Sequence, residues 1–263
     1  MSKLKEFLQN CLVVDFEATG LDHQTAEVIE TGVALFQPDD MLDYWIEEGN
    51  LYKPHEPISP FISSITNITN RMVEKKPYFE GEHRAEFGKL LDSLPYLVAH
   101  NSFYESHMSE RLFGTDRSKW ICTMRLAKYI YRLDPVENIT LPFLRYHLDV
   151  PLPDGVVPHR AGTDALITAY VLQSFLETLI ERGEIDDTKD IGPQLIALLA
   201  KPILYEKMTF GKYKGLLVRQ VPIDYWKWLI LNAKQVDENA EEYDPDLAAT
   251  VEMVMNELMD AKN

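Results

Sequence analysis

The order of segments along the chain predicts an α/β fold: a mixed sheet flanked by helices, with a small C-terminal module. Three strand-like runs come first, helices and strands then alternate, and a polar, acidic stretch from Gly183 to Gly192 ends the alternation. With 263 residues, 46% of them hydrophobic, the chain can bury one substantial domain and an appendage. The boundary is expected near residue 200, giving a domain of residues 1–200 and a module of residues 201–263.

Cys11 to Phe16 is a short apolar run with strand character, and Val28 to Phe36 adds β-branched and aromatic residues after a turn-prone segment from Gly20 to His23. A third strand is expected within Asp43 to Tyr52, completing an antiparallel meander. Pro57 to Pro60 leads into a helical segment through Val73 that Pro77 closes, and an amphipathic helix follows around Ala85 to Leu94. Pro95 to His100 reads as a buried strand, Asn101 to Phe113 as a helix, Trp120 to Met124 as a strand, and Leu141 to Leu148 as a short helix. Ala161 to Ile180 carries a long apolar stripe at helical spacing.

The second unit begins near Lys201 and contains Met208 to Gly215, then Val218 to Asn232 with Tyr225, Trp226 and Trp228 as anchors. Beyond it, Leu247, Val251, Val254 and Leu258 recur at helical spacing, a face that docks on the main domain or on a second subunit, with packing inside the molecule the commoner outcome. No internal repeat or low-complexity tract interrupts the chain.

Cys11 and Cys122 form neither a disulfide framework nor a zinc cluster, which fits a reducing compartment and small buried hydrophobes. The N-terminus lacks the apolar core and cleavage site of a secretory signal, and no apolar run approaches the ~18 residues that span a bilayer. A cytoplasmic protein without membrane contact is expected. The formal net charge of -16 argues against bulk attraction to a polyanion. Its distribution reverses that inference: Arg111 to Arg145 holds seven Lys/Arg against three Asp/Glu, and Lys201 to Lys227 six against two. Each window carries +4, while from Lys234 onward nine acids face two lysines. Local basic patches of this kind can still track phosphates, with solvated surface the alternative and the commoner role for any one lysine.

Four acidic positions and one histidine, at Asp15-Phe-Glu17, Glu105 and His159-(x)4-Asp164, suit two divalent metals and a base beside a phosphodiester. Asp15 and Glu17 are two apart at the end of a strand and point to one side of the pleat, a hard oxygen site for Mg²⁺ or Mn²⁺. An exposed acidic edge is the alternative, weakened by the core strand that directly precedes the pair. His159 and Asp164 are five apart, so within one helix they would face different ways; His159 is expected in the preceding loop, leaning over a metal that Asp164 binds. Imidazole changes charge near neutral pH and can take a proton from water there. Hydrolysis of nucleic acid is the expectation this set carries.

The segments VVDFEATGL, VAHNSFYESHMSERL and HRAGTDALITAYVL resemble the three motifs of the DEDDh superfamily of 3′-5′ exonucleases over about residues 10 to 180, and TFGKYKG with the later YWKWL resembles the C-terminal region of the exonuclease X-like group. The resemblance implies a ribonuclease H-like fold, metal ligands at Asp15, Glu17, Glu105 and Asp164, a general base at His159, and two-ion hydrolysis to nucleoside 5′-monophosphates, with DNA favoured over RNA. Glu105 stands where the second motif has aspartate. The added methylene shifts the carboxylate by something on the order of an ångström, in sites where small misplacements are costly. Glu110 would substitute only with a shift of helix register.

Ala18, Thr19, Gly20 and Leu21 would line the terminal nucleotide; the alternative gives Gly20 a tight turn and Leu21 a place in the core. Asn101 would touch the substrate or organise the second motif. Lys212 and Lys214 sit on a glycine-bounded turn with an aromatic, able to grip a phosphate and stack a base or else to pack as a hairpin against Tyr225, Trp226 and Trp228; its spacing is not that of a P-loop. Two other classes stay open: a nucleic-acid-binding or regulatory module with an impaired site, and a structural or partner-binding protein.

Overall fold

The computed structural model describes residues 2–37, 42–44, 50–152, 159–238, 240 and 244–260. They fall into two compact units, Met1–Ala127 with Asn138–Ile196, and Lys128–Glu137 with Ala197–Asn263.

The first unit is built on a five-stranded sheet of order β3-β2-β1-β4-β5, comprising β1 (Cys11–Ala18), β2 (Val28–Phe36), β3 (Leu42–Tyr44), β4 (Tyr96–Ala99) and β5 (Trp120–Cys122). β1 and β2 pair antiparallel, as do β2 and β3, whereas β4 runs parallel to both β1 and β5. The sheet is therefore mixed, as expected. The third strand was expected within Asp43 to Tyr52; β3 is described over Leu42–Tyr44, residues 45–49 lie outside the described set, and Leu51 makes an isolated antiparallel bridge to Glu30.

Alternation along β1 sorts its two faces. Leu12, Val14, Phe16 and Ala18 enter one core cluster with Phe87 and Leu91 of α4 (Gly81–Asp92), Leu97 of β4 and Met108 of α5 (Phe103–Phe113). The opposite face, carrying Asp15 and Glu17, is the one left for α8 (Ala161–Glu181), which packs across β1 and β2. The pairing of β1 with β4 reaches only to Val13, so the acidic pair sits where β1 extends past its parallel neighbour.

Several helices differ from expectation. The helical segment before Val73 is two pieces, α2 (Pro60–Thr66) and α3 (Asn70–Val73), because Asn67 adopts the left-handed conformation at φ 57 and stops the first. The strand expected through Met124 ends at Cys122, and α6 (Thr123–Ile130) takes over; Leu126, Ala127 and Ile130 are buried at helical spacing. α1 (Lys3–Gln9) and α9 (Ile191–Leu199) were not expected from the sequence, while α7 (Leu141–His147) lies where a short helix was. Both cysteines are free, and Cys11 is fully buried. Among the described residues no helix is long and apolar enough to cross a membrane.

The second unit has its own core. Trp226 and Leu229 of α10 (Ile223–Asn232) meet Met208, Val218, Val221 and, from α11 (Pro245–Asp260), Leu247, Val251 and Val254. The apolar face of the last helix is thus taken up inside its own unit; the side chain of Leu258 lies outside the described set. Asp246 of that helix is buried and accepts the backbone N–H of Ile203 at 2.8 Å, and Thr250 Oγ1 accepts that of Tyr205 at 2.9 Å.

Candidate metal centre

Asp15 pairs across β1 and β2 with Gly32, and Glu17 with Glu30; the ladder shifts register between Glu17 and Ala18, immediately after the acidic pair. Asp164 comes from the first turn of α8, which delivers it to the same face. A ligand oxygen from each of Asp15, Glu17 and Asp164 lies within 4.8 Å of those of the other two. One hard cation bound at about 2.1–2.4 Å holds its oxygens no farther apart than about that span. Among the described residues this is the group able to hold a divalent metal.

The electrostatics have one sign. Burial, reinforced by the charges of Asp164, Glu17 and Glu105, holds the Asp15 carboxyl well above the usual carboxylate range. Burial pushes Glu17 up to about 8, with Asp164 and Glu30 adding to it, and raises Glu105 to about 8. Asp164 rises to about 6, again through burial, with His159 acting in the opposite sense. Carboxyls that resist ionisation together are the donor set a multivalent cation relieves.

Glu105 lies outside the three-carboxylate group, on α5, buried to 6% exposure. Its Oε2 has no hydrogen-bond partner, an orphaned buried oxygen close enough for its charge to act on both Asp15 and Glu17. Glu110 is exposed and pairs with Arg117 at 3.7 Å, which leaves it no part in the centre. His159 is exposed and precedes α8 with φ 61; its backbone N–H faces Asp164 Oδ1 at 3.4 Å. Most of the loop before it, residues 153–158, lies outside the described set.

The segment after Glu17 is stitched at both ends. Thr19 N–H donates to Glu27 O and Glu27 N–H to Thr19 Oγ1, both at 2.9 Å, while the Tyr104 hydroxyl donates to Gly20 O at 2.7 Å. Leu21 is 75% exposed and fills no core, and a Cβ at Gly20 would meet nothing within 4 Å. The core-filling alternative for Leu21 is thereby removed. Ala18 is buried in the core beneath the loop. Asn101 is exposed, in the left-handed conformation at φ 63, and follows His100. The His100 ring bonds Thr123 Oγ1 at 2.9 Å and Ile139 O at 3.0 Å; burial lowers it to about 4, so it is a neutral structural bridge donating through Nε2.

Two residues of the site, Glu30 and Gly32, lie outside every motif of the sequence. Glu30 is buried at 3% exposure and accepts the Arg160 Nε–H and Nη2–H and the Ala161 backbone N–H, the last at 2.9 Å. A Cβ built on Gly32 would fall 1.9 Å from the Ala161 carbonyl carbon, so only glycine permits α8 to sit this close to β2. A glutamate and a glycine inside a strand give no local signal of this.

In the second unit, Lys212 and Lys214 are exposed on a turn bounded by Gly211 (φ 71) and Gly215 (φ 89). The Lys212 ammonium lies 5.3 Å from the Tyr213 ring, which meets Tyr225 edge-on at 4.9 Å, and Tyr225 stacks on Trp228 at 5.7 Å. The turn packs against the aromatic helix as the hairpin alternative has it, with both lysines outward.

Comparison with known proteins agrees with the carboxylate geometry. The exonuclease family model (RNase_T) matches residues 12–172, spanning β1, α5 and the start of α8. The chain belongs to the exonuclease family. Exodeoxyribonuclease 10 of Escherichia coli K12 is 30% identical over 84% of this chain and 90% of its own length. DNA polymerase III PolC-type of Thermotoga petrophila is 34% identical over 68% of this chain, which is 13% of that protein. Among solved structures, exonuclease X in complex with 5′ overhanging duplex DNA superposes with a TM-score of 0.50 at 24% identity, covering 70% of this chain and 99% of that one. Escherichia coli exonuclease I in complex with a dT13 oligonucleotide gives 0.52 at 14% identity over 66% and 42%. The ribonuclease H-like fold and a nuclease hydrolase activity follow from these matches.

Proposed function

We propose that this exonuclease removes nucleotides one at a time from the 3′ end of DNA and releases nucleoside 5′-monophosphates. The observation that carries the reading is the convergence of Asp15, Glu17 and Asp164 within 4.8 Å, with His159 at the edge of the same group. Asp15, Glu17 and Asp164, with Glu105 as the fourth ligand, would hold two Mg²⁺ or Mn²⁺ ions. When bound, such ions neutralise the phosphodiester's charge and acidify the attacking water.

The chain's own residues supply the rest. His159 accepts the water's proton on a ring nitrogen, and its place ahead of α8 rather than in it lets the ring lean over Asp164. Thr19, Gly20 and Leu21, with Ala18 beneath them, line the terminal nucleotide; exposed Leu21 meets its base. Asn101 orders the second motif or touches the strand. Lys212, Lys214 and the Tyr213 ring add an outlying contact to the nucleic acid. DNA is favoured over RNA by the relatives, and the free cysteines suit the cytoplasm.

A second reading, a nucleic-acid-binding protein with an impaired site, is favoured by one observation: Glu105 is not within the three-carboxylate group. Single- and double-stranded DNA and RNA, labelled at the 3′ or the 5′ end, separate these readings when incubated with the protein and Mg²⁺ or Mn²⁺. The proposal predicts immediate release of the 3′ label as mononucleotide and stepwise shortening of 5′-labelled DNA. Binding without shortening supports the second reading, and first release of the 5′ label contradicts the polarity.

A further inference from the structure

Beside the carboxylates lies a cavity of about 320 Å³ lined by Asn67, Pro142, Arg145, Tyr146, His159 and Asp164, among others. None of the motifs read from the sequence includes Asn67, Arg145 or Tyr146. The half-buried Arg145 guanidinium lies 5.0 Å from the Tyr146 ring centroid and, among the described residues, has no hydrogen-bonding or ion-pair partner. Its charge reaches Asp164 without pairing with it. The side-chain amide of Asn67, held outward at a left-handed helix cap, is likewise without a partner among the described residues. The Tyr146 ring is 75% exposed.

A protein this acidic has many carboxylates with which an arginine could pair, and none among the described residues pairs with this one, which lies in a concavity beside the metal centre. A guanidinium presents its donors in a planar fork that matches two oxygens of a phosphate, and an exposed aromatic beside it offers a stacking face for a base. Resting on the exonuclease reading of the neighbouring site, we propose that this cavity is a phosphate-binding subsite for the substrate strand, in which Arg145 pairs with a phosphodiester adjacent to the scissile one, Asn67 donates to it, and Tyr146 carries the attached nucleoside.

The test is equilibrium binding of a short 5′-fluorescein-labelled oligothymidylate to the full-length protein, with Ca²⁺ replacing Mg²⁺, followed by anisotropy over a range of salt concentrations. R145A is expected to weaken binding about tenfold and to flatten the dependence of log K on log salt by about 0.7, the change for one lost contact to a single strand. R145K should keep the slope and lose part of the affinity; Y146A should lose affinity at unchanged slope. Unchanged affinity and slope in R145A overturn the proposal, as does a loss of affinity with the slope intact. Should R145A fold poorly, R145Q provides the same comparison at nearly equal volume. Turnover of the wild-type protein separates the two inferences: strand binding that depends on Arg145 without hydrolysis sinks the exonuclease mechanism alone, whereas hydrolysis with binding indifferent to Arg145 sinks the subsite alone.

Discussion

Glu30 of β2 takes the Arg160 guanidinium in a fork, with Nε at 2.9 Å and Nη2 at 2.5 Å from Oε1, while its other oxygen accepts the first backbone N–H of α8 at Ala161. One buried carboxylate therefore ties the N-terminus of the helix that carries Asp164 to the strand that pairs with Asp15 and Glu17. Because Glu30 is 3% exposed, taking away its partner strands a charge out of water. R160A is expected to cost about 3–5 kcal/mol in urea unfolding, the usual cost of breaking a buried pair from one side. R160K should recover only part of it, since the fork is lost. A cost below about 1 kcal/mol would show that the pair is not holding the helix.

Gly32 sets the distance across the same junction. G32A places a methyl where the Ala161 and Gly162 backbone already lies, within 1.9–2.3 Å, so α8 must move. Turnover should fall by on the order of 100-fold, because Asp164 moves with the helix, accompanied by a lower Tm. Wild-type turnover in G32A would mean that the position of α8 is not what sets the centre.

The carboxyl cluster makes the metal-free protein sensitive to alkali. Glu17 and Glu105 at about 8, Asp164 at about 6 and Asp15, held well above the usual carboxylate range, all bind protons in the folded state that the unfolded chain has released. Between about pH 4.5 and 8 the folded state thus holds more protons than the unfolded one, and stability is lost as pH rises through that window. In EDTA, Tm at pH 8.5 should lie below Tm at pH 6, and Mn²⁺ should raise Tm more at the higher pH. A Tm that climbs with pH in EDTA would contradict the cluster's electrostatics.

Glu105 separates the two readings of the site. E105Q removes a buried charge at nearly constant shape and should raise Tm in EDTA above pH 7 while lowering turnover about 100-fold or more. E105D should retain turnover within about tenfold if glutamate is a working ligand; a large rate gain from a near-silent starting protein would identify the natural site as impaired.

Local pattern revealed what local physics determines. Asp15 and Glu17 were legible because a period of two places them together after an apolar run, and His159 could be set in a loop because five residues do not share a helix face. What failed was non-local or ambiguous. The strand expected over Trp120 to Met124 ran two residues into α6, because Thr123 and Met124 follow the apolar Ile121 and Cys122 without a break, while Leu126, Ala127 and Ile130 at helical spacing mark the helix. Asn67 breaks a helix through a backbone conformation with no sequence marker as strong as glycine. Glu30, Gly32 and Arg160 meet across some 130 residues, and each alone is an ordinary strand or loop residue.

The most direct test is a crystal soaked in Mn²⁺ with diffraction recorded at the manganese edge. Anomalous peaks are predicted between Asp15, Glu17 and Asp164, with Glu105 at the second of two ions. No peak among those three carboxylates at saturating Mn²⁺ would contradict the metal-dependent mechanism at its root.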